Sequence, residues 1–520
     1  MAAKKPLTMR KQVDQLTAKR VETRLGGGED KLQKQRDKGK MTARERVDAL
    51  LDDGTFQEIG LFRRNRTTHF GMDKADMPAD GVVTGTGAVL GRAVHIASQD
   101  FTVAGGSAGE THSKKVVGMM ESALKCGTPF VFINDSGGAR VQEGIDSLSG
   151  YGQVFYSNVK LSGAVPQVSI IAGPCAGGAA YSPALTDFVI QTRKAHMFIT
   201  GPNVIEQVTG EKVTQDQLGG ADTHQQISGV NHFVADDDEQ AILIAQKLLS
   251  FLPQNNTEDP PLVSTDDSVE PDDAILDVVP TDGNKGYDVR EVIRHLVDLQ
   301  DFLEVQAGYA QNIVIGFGRV TGRTVGIVAS QPNAMAGVLD INASDKGSRF
   351  IRFCNAFNIP VLNLVDVPGF LPGTAQEFGG IIRHGAKMLY AYCAATVPKV
   401  TVVLRKAYGG AYLAMCAKDL GADEVFAWPT AEIAVMGAEG AASVVFKREI
   451  DAAEDPATRR EELVQEYKDT FSTPFVAAAR GLVDDIIDPR DTRRKVAMAF
   501  EILINKRELR PAKKHGLGPV

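Results

Sequence analysis

The chain has 520 residues, enough for two to four domains, and its 43% hydrophobic content supplies more than one core. The formal net charge is −8, with both signs mixed along the chain, which argues against a nucleic-acid-binding protein with a concentrated basic surface. No run approaches the roughly 18 apolar residues of a membrane span. No apolar segment typical of a secretory signal follows the basic residues near the start. The five cysteines are widely spread without a CxxC pair, so we expect reduced core cysteines in a cytoplasmic protein.

The N-terminal segment, up to the position of Gly60, is predicted to form a charged helical arm. In the stretch GKMTARERVDALLD, Thr42 is a good helix cap and Glu45 follows three positions later, as in a capping box. Val47 and Leu50 then recur at helical spacing. A plain packing role accounts for this arm, which we include in an N-terminal domain of residues 1–253.

From about residue 80 to 235, short apolar runs alternate with helical stretches. The runs are AVHIASQ, FVFIND, QVSIIAG, FVIQT and AHMFITG. Several of these runs are apolar at successive positions, as expected of parallel strands buried on both faces between helices. The pattern therefore predicts an α/β domain.

Residues 254–277 interrupt this pattern with a segment rich in Pro, Asp, Glu, Ser and Thr, which predicts an exposed interdomain linker. A C-terminal domain of residues 278–520 follows. Its expected strands are VGIVAS, VLNLVD, KVTVVLR, EVFAWP and EIAVMG, and its last part, from DPATRREELVQEYKD onward, reads as helices.

The two halves repeat one another at a nearly constant offset in numbering. Asp135 in VFINDSGGA and Asp366 in LNLVDVPGF differ by 231, and Pro166 and Pro398 differ by 232. Gly178 and Gly410 differ by 232 as well, and HMFITG precedes EIAVMG by 236. A period of this length indicates a duplicated domain and excludes a solenoid.

Each half places a Gly-Gly-Ala sequence after an apolar strand, at Gly177–Ala179 and at Gly409–Ala411. Glycines allow a ligand to approach the backbone, and the first amides of a following helix can donate to an oxyanion. Tight packing of strand against helix is the alternative for either pair alone. Because the pairs are duplicated in register, we favour two anion-stabilising sites.

Two loops lie at equivalent strand ends, DSGGAR from Asp135 and DVPGFLPG from Asp366. Such loops are where α/β proteins bind ligands. Arg140 is a candidate phosphate contact, and Gly137–Gly138 could shape a pocket wall. For the two aspartates we expect hydrogen bonds to turn amides and no catalytic role.

Common catalytic signatures are missing: the sequence has no GxSxG, HExxH or P-loop motif, and its histidines do not cluster as metal ligands. His384 is the most suggestive histidine, and a structural role is expected for it. The pattern favours chemistry carried by a cofactor, with the protein supplying orientation and electrostatics and no metal in this chain.

Five long motifs now carry a family resemblance: NDSGGARVQEGIDSLSGYG, GPCAGGAAYSPALTDF, DVPGFLPGTAQEFGGIIRHGAKMLYAY, KAYGGAYLAM and AWPTAEIAVMGAEGAA. They resemble the carboxyltransferase (β) subunits of biotin-dependent acyl-CoA carboxylases, of the propionyl-CoA carboxylase and methylmalonyl-CoA transcarboxylase type. The resemblance covers nearly the whole chain. It implies tandem duplicated crotonase-like (ββα spiral) domains with helical N-terminal and C-terminal extensions, assembled as a homohexamer.

The resemblance also implies roles for the glycine sites. Gly177 and Gly178 would stabilise the enolate of an acyl-CoA, and Gly410 and Ala411 would stabilise the urea oxygen of biotin. The substrate-lining residues that it implies are Gly137, Gly138, Ala139, Arg140, Ala176, Tyr181, Gly409, Tyr412 and Leu413. Leu413 is a departure, because typical propionyl-CoA carboxylases carry Asp there and transcarboxylase-type sequences do not.

The chain lacks the AMKM context of biotin attachment and any Gly-rich ATP site. The resemblance thus implies that biotin arrives on a separate carrier and that a biotin carboxylase or carrier subunit is a partner. The expected reaction converts propionyl-CoA to methylmalonyl-CoA. The alternatives are the CoA-side subunit of a methylmalonyl-CoA:pyruvate transcarboxylase, the catalytic subunit of a methylmalonyl-CoA decarboxylase and, in another class, a non-catalytic scaffold.

Overall fold

The computed structural model describes residues 7–519 and divides them into two compact units. The first unit ends at Glu258 and the second begins at Asp259. This boundary lies inside the predicted linker of residues 254–277, which is largely exposed and carries a single short 3-10 helix, Asp273–Asp277.

The helices of the first unit include the N-terminal arm and the helices around the sheet. They are α1 (Met9–Arg24), α2 (Glu29–Asp37), α3 (Ala43–Leu50), α4 (Glu110–Cys126), α5 (Ile145–Leu161), α6 (Gly178–Ala184), α7 (Pro202–Thr209), α8 (Gln215–Gly219), α9 (Ala221–Thr223) and α10 (Asp238–Phe251). The strands are β1 (Gln57–Glu58), β2 (Val82–Val89), β3 (Arg92–Gln99), β4 (Phe130–Ser136), β5 (Gln167–Ala176), β6 (Phe188–Thr192), β7 (His196–Phe198) and β8 (Phe233–Ala235).

These strands form one sheet in the order β1-β2-β3-β4-β5-β6-β8, with β7 paired to the end of β5. β2 and β3 form an antiparallel hairpin, and the pairs from β3 to β8 are parallel. Helices α4 and α5 contribute Met120 and Val154 to a core that also contains Phe130 and Phe132 of β4. Every residue of β4 is buried, as the consecutive apolar pattern predicts.

The second unit has the same arrangement of strands but different additional helices. Its helices are α11 (Val289–Leu296), α12 (Ile341–Ala356), α13 (Thr374–Gly379), α14 (Ile381–Ala394), α15 (Gly409–Ala414), α16 (Ala438–Val445), α17 (Lys447–Ala452), α18 (Pro456–Tyr467), α19 (Pro474–Ala479) and α20 (Thr492–Leu503). Its strands are β9 (Leu303–Val305), β10 (Ile313–Val320), β11 (Arg323–Ser330), β12 (Val361–Val367), β13 (Lys399–Tyr408), β14 (Glu424–Ala427), β15 (Glu432–Ala434) and β16 (Asp485–Ile486).

The second sheet has the order β16-β14-β13-β12-β11-β10-β9, with β15 paired to the end of β13. Read from the other end, this is the order of the first sheet, strand for strand, including the β10–β11 antiparallel hairpin. The duplicated α/β organisation expected from the repeat is therefore confirmed. A core between the sheet, α11 and α20 contains Trp428, whose indole Nε1 donates to Thr492.

Most predicted elements coincide with observed ones. The capping box is present: the Thr42 amide donates to Glu45 Oε2 at 2.8 Å, and the Thr42 side chain accepts from the Glu45 amide. The runs AHMFITG and EIAVMG form only short strands, β7 and β15, because each pairs solely with the last residues of β5 or β13 before the chain turns into a helix.

Candidate functional site

The first glycine site lies where β5 ends and α6 begins. Gly177 has φ 62° and ψ −128°, a conformation that favours glycine, and its amide donates to the Phe198 carbonyl at 3.1 Å. Gly178 and Ala179 open the first turn of α6, where amides have no intrahelical acceptor. In the described part of the chain, neither amide has another hydrogen-bond acceptor.

The loop that follows β4 lies beside this glycine turn. The loop after β4 pairs with Ala108, which donates to the Gly138 carbonyl and accepts from the Arg140 amide, both at 2.9 Å. This bridge leaves the intervening Ala139 amide without an acceptor among residues 7–519. Gly138 has φ 99°, and a Cβ added there would lie 3.0 Å from the Ala176 carbonyl, so the loop packs directly on the end of β5.

The groups beneath this site are poorly suited to acid–base or thiol chemistry. A small internal cavity is lined by His112, Tyr151 and Ala179. Burial lowers the pKa of His112 to about 3, and burial raises the pKa of the Tyr151 hydroxyl. Burial likewise raises the pKa of the Cys175 thiol to about 12, so this cysteine is no thiolate nucleophile at neutral pH. The available chemistry is therefore that of the backbone amides.

Arg140 was predicted to contact a phosphate, and in this unit its guanidinium is instead buried against two carboxylates. Its side chain is 1% exposed and donates to Asp80 at 2.6 Å, to Glu143 at 2.7 Å and to the Ser107 carbonyl at 2.7 Å. These acceptors, together with Ser107 Oγ, take four of the five N–H donors of the guanidinium. Arg140 instead clamps the far end of the loop that carries Ala139.

The second site repeats the first at α15. Gly409 has φ 56°, and a Cβ added there would lie 2.9 Å from the Val435 carbonyl. The amides of Gly410 and Ala411 lie in the first turn of α15, again without an acceptor in the described residues. The Gly-Gly-Ala sequences thus present equivalent pairs of amides.

Phe370 is the counterpart of Ala139 and was not predicted. Leu339 donates to the Gly369 carbonyl and accepts from the Leu371 amide, so the Phe370 amide lies open between them. Its ring edge is 3.0 Å from a Cβ added at Gly385, in α14, and 4.0 Å from one added at Gly410. No sequence signal singles out Phe370, because only the strand-end bridge places its amide beside α15.

The other predicted lining residues differ in exposure. Tyr181 in α6 is 50% exposed and Leu413, its counterpart in α15, is 38% exposed, so both flank the amide sites from the surface. Tyr412 is buried at 8% exposure, so its ring packs in the core of this unit, and its predicted role as a lining residue stays a prediction.

The two aspartates only partly follow the expectation. Asp366 accepts from the Lys406 amide at 3.1 Å, but its second oxygen pairs with Arg405 at 3.0 Å. Asp135 accepts from the side chains of Lys40 and Arg46 and, among residues 7–519, from no turn amide. Burial raises the pKa of Asp366 despite the neighbouring Arg405. Both carboxylates thus end their strands inside ion pairs.

The remaining candidates are structural. His384 pairs with Asp345 at 2.8 Å, and Lys387 shares that carboxylate, as a structural histidine would. Three cysteines are buried, whereas Cys126 and Cys393 are exposed, so the expectation of five core cysteines is wrong for these two. In residues 7–519, no three His, Cys, Asp or Glu side chains are grouped to hold a metal, and no helix is long and apolar enough to cross a membrane.

The chain is similar over nearly its whole length to subunits of three kinds of enzyme: methylmalonyl-CoA carboxyltransferase, propionyl-CoA carboxylase and methylmalonyl-CoA decarboxylase. The chain is 67% identical over 512 residues to the methylmalonyl-CoA carboxyltransferase 12S subunit of Propionibacterium freudenreichii subsp. shermanii, covering 98% of each. It is 55% identical over 516 residues to the carboxyltransferase subunit of Haloferax mediterranei propionyl-CoA carboxylase, covering 99% of this chain and 100% of that one. The transcarboxylase 12S crystal structure, described as a hexamer assembly with methylmalonyl-CoA and methylmalonic acid bound, superposes with a TM-score of 0.98 at 66% identity, covering 100% of both chains.

These similarities confirm the resemblance seen in the motifs, together with the crotonase-like fold and the enzyme class. The carboxyl transferase domain family matches residues 34–517, which include most of both units and both amide sites. The chain therefore belongs to the carboxyl transferase family, alongside the carboxyltransferase subunits of acyl-CoA carboxylases and transcarboxylase.

Proposed function

We propose that this carboxyltransferase moves a carboxyl group between biotin and the α-carbon of propionyl-CoA, forming or consuming methylmalonyl-CoA. The acyl thioester is assigned to the Ala139–Gly178 site and the biotin urea to the Gly410–Ala411 site. The observation that carries the proposal is the pair of equivalent helix starts, each with amides that have no acceptor among the described residues.

The first site suits a thioester enolate. When the α-carbon loses a proton or a carboxyl group, negative charge develops on the thioester oxygen, and preorganised amides stabilise it. The Gly178 amide serves as one donor and the Ala139 amide, from the adjacent strand end, serves as the other. Gly177 contributes the turn conformation, because its own amide is already bonded to Phe198.

The second site suits the urea of biotin, since a urea oxygen is a strong acceptor and gains charge when the carboxyl group leaves the ring. Bound biotin would supply the carboxyl group and the base for the α-proton. This agrees with the pKa shifts of His112, Tyr151 and Cys175, which leave these three groups beneath the first site poorly suited to acid–base or thiolate chemistry at neutral pH. Gly410 and Ala411 hold the urea oxygen, with the Phe370 amide beside them.

We favour a transcarboxylase as the complex to which this subunit belongs, with biotin carried by a separate subunit. The support is the 67% identity to a methylmalonyl-CoA carboxyltransferase subunit, together with Leu413 in place of the Asp of typical propionyl-CoA carboxylases. A propionyl-CoA carboxylase β subunit and a methylmalonyl-CoA decarboxylase subunit are the alternatives. All three share the same half-reaction.

Reconstitution separates these assemblies. The chain is mixed with a biotin carrier and either a pyruvate carboxyltransferase subunit or a biotin carboxylase with ATP, and acetyl-, propionyl- and butyryl-CoA are compared. Pyruvate-dependent conversion of methylmalonyl-CoA supports transcarboxylation, whereas ATP-dependent carboxylation of propionyl-CoA supports the carboxylase. Absence of carboxyl exchange between methylmalonyl-CoA and biotin in every mixture would refute the proposed function.

We also propose a cytoplasmic homohexamer. The support is the hexamer of the transcarboxylase 12S structure, and an apolar face on α5 where Ile145, Leu148, Tyr156 and Val159 are 73%, 61%, 69% and 62% exposed in the single chain. Faces of this kind normally pack against another subunit. Sedimentation equilibrium should give six times the 55.8 kDa chain mass, and a monomer would contradict the assembly.

Proline substitutions test the two amide sites. Gly178 begins α6 with a helical φ, and proline is tolerated in a first helical turn, so Gly178→Pro removes the N–H while keeping the helix. Gly178→Ala is the matched control, because its Cβ would meet Tyr151 only at 3.4 Å and the N–H stays. We expect kcat for carboxyl exchange to fall about 100- to 1000-fold in the proline variant.

The same pair of changes at Gly410 tests the biotin side, since an added Cβ there meets only Phe370 at 4.0 Å. Equal rates for the alanine and proline variants, in protein that retains its folded circular dichroism spectrum, would rule out amide donation at the altered site.

A further inference from the structure

Asp135 is a completely buried carboxylate at the end of β4, two positions before Gly137. Its Oδ2 accepts hydrogen bonds from Lys40 Nζ at 2.8 Å and from Arg46 Nη1 at 2.9 Å. Both cations come from the N-terminal arm, and their side chains are 12% and 2% exposed. Arg46 also binds Asp238 at 2.8 Å, which ties the same network to the start of α10.

The cations have room beside Asp135 because the residue of β5 that faces this carboxylate is a glycine, Gly173. A Cβ added at Gly173 would overlap Asp135 Oδ1 and would lie 2.6 Å from Lys40 Nζ. Any side chain at this position would therefore displace the Lys40 ammonium group or the Asp135 carboxylate. The Arg46 guanidinium completes the packing by donating to the Ala172 carbonyl at 3.3 Å.

In the second half, the cation that pairs with the strand-end aspartate comes from a different element. Asp366, the counterpart of Asp135, pairs at 3.0 Å with Arg405. Arg405 lies on β13 at the position equivalent to Gly173, by the same offset that relates Gly178 to Gly410. The C-terminal half thus neutralises its strand-end aspartate from the neighbouring strand. The N-terminal half has glycine in place of that arginine and takes its cations from the arm.

We infer that Lys40 and Arg46 are positioning residues of the acyl-CoA site, acting through Asp135 on the loop that presents the Ala139 amide. The arm is therefore a part of the site and more than a packing helix. This inference rests on the proposed assignment of the first amide site to the thioester.

The path from Asp135 to Ala139 is short and tightly held. The Asp135 amide donates to Gln99 at 3.1 Å, and the Asp135 carbonyl packs so closely on Gly106 that an added Cβ there would overlap it. Ser136 Oγ then accepts from the Gly138 amide at 3.0 Å. Removing one partner of a buried ion pair is strongly destabilising. If a cation is lost, the Asp135 carboxylate must therefore find new partners, which alters β4 at its end, where this loop begins.

Lys40→Met tests the inference, with Lys38→Met as its control, because Lys38 is an exposed lysine two positions earlier in the same arm. In the full chain, we expect Lys40→Met to lower kcat for carboxyl exchange between methylmalonyl-CoA and biotin at least tenfold. KM for biotin should stay within twofold. Lys40→Arg, which keeps the charge, should recover to within threefold of the wild-type kcat.

Hydrogen exchange gives a readout that does not require turnover. In Lys40→Met, amides of residues 135–140 should exchange at least tenfold faster, while those of residues 366–371 stay unchanged. If Lys40→Met fails to fold, Arg46→Lys is the second variant. We expect it to lower kcat for carboxyl exchange at least fivefold and to speed hydrogen exchange of the amides of residues 135–140 at least fivefold. Wild-type kcat and exchange in folded variants, or equal acceleration in both segments, would overturn the inference. A wild-type protein without carboxyl exchange refutes the proposed function instead.

Discussion

At the scale of single residues, Gly177 and Gly178 contribute different properties to one turn. Gly177 adopts a positive φ and donates its amide to Phe198, whereas Gly178 has helical geometry and an open amide. The motif predicted both glycines together, because the sequence shows residue types and not which N–H is already bonded. Ala139 was predicted only as a lining residue, since its amide becomes a donor only through the bridge with Ala108.

Arg140 was predicted to contact a phosphate, but its buried ion pairs favour a structural role. We expect Arg140→Met to lower the free energy of unfolding by about 3–5 kcal/mol, because Asp80 and Glu143 would be left without their buried cation. Urea denaturation at fixed protein concentration measures this. Arg193→Met, which breaks exposed pairs, is the control and should cost no more than about 1 kcal/mol. Unchanged stability with lost CoA binding would restore the phosphate role.

Gly385 gives a prediction for the second site. Alanine is favoured over glycine inside a helix, but a Cβ at Gly385 would lie 3.0 Å from the Phe370 ring and push it toward Gly410. Gly385→Ala should therefore raise KM for biotin at least threefold without lowering the melting temperature. Gly118→Ala, in open space on α4, is the control. A wild-type KM for biotin in Gly385→Ala would show that the ring does not influence the site.

At the scale of elements, buried lysines fasten the equivalent helices α4 and α12 to the segments around their hairpins. Lys346 donates to the carbonyls of Gln306, Tyr309 and Ile313 at 3.0, 2.7 and 2.8 Å. Lys115, its counterpart in the first half, donates to the Ala79 carbonyl at 2.8 Å and to the carbonyl of the first residue of β2. The repeat thus extends to a feature that the motifs did not reveal, because lysine in an amphipathic helix usually predicts an exposed position.

Lys346→Met should lower the free energy of unfolding by about 3 kcal/mol or more, since several buried carbonyls lose a shared donor at about 1–3 kcal/mol each. Chemical denaturation measures the change. Lys387→Met, which removes a partly exposed partner of Asp345, should change it by less than about 1 kcal/mol. Equal losses of unfolding free energy in the two variants would show that the hydrogen bonds from Lys346 to the buried carbonyls do not stabilise the fold.

The strands were predictable from apolar runs because both sheets are covered on both faces. The positive-φ turns at Ala104–Gly106 and at Met335–Gly337 were not, since non-glycine residues occupy left-handed backbone there. Each turn packs on the strand-end aspartate of its half: a Cβ added at Gly106 would overlap the Asp135 carbonyl, and one added at Gly337 would lie 2.7 Å from the Asp366 carbonyl. Tertiary packing selects these turns, and no local pattern indicates them.

At the scale of the whole molecule, one fold occurs twice and holds two amide sites built in the same way. The halves differ in the residues around those sites: Ala139 against Phe370, Tyr181 against Leu413, and arm cations against Arg405. A constant offset in sequence predicted the duplication and the glycines. The offset could not predict how the surroundings of the two sites differ, because side chains that come from other elements, such as Lys40, have no counterpart in the repeat.

The central claim is that the acyl thioester binds only at the first site. The most direct test is the carbonyl stretching frequency of carbonyl-13C-labelled propionyl-CoA bound to the wild type, Gly178→Pro and Gly410→Pro, measured by infrared difference spectroscopy. Hydrogen bonds from amides polarise the carbonyl and lower its frequency. We predict that the lowered frequency of the wild type persists in Gly410→Pro and returns toward that of free propionyl-CoA in Gly178→Pro. An unchanged frequency in Gly178→Pro, or a loss of the shift in Gly410→Pro, would contradict the division of roles.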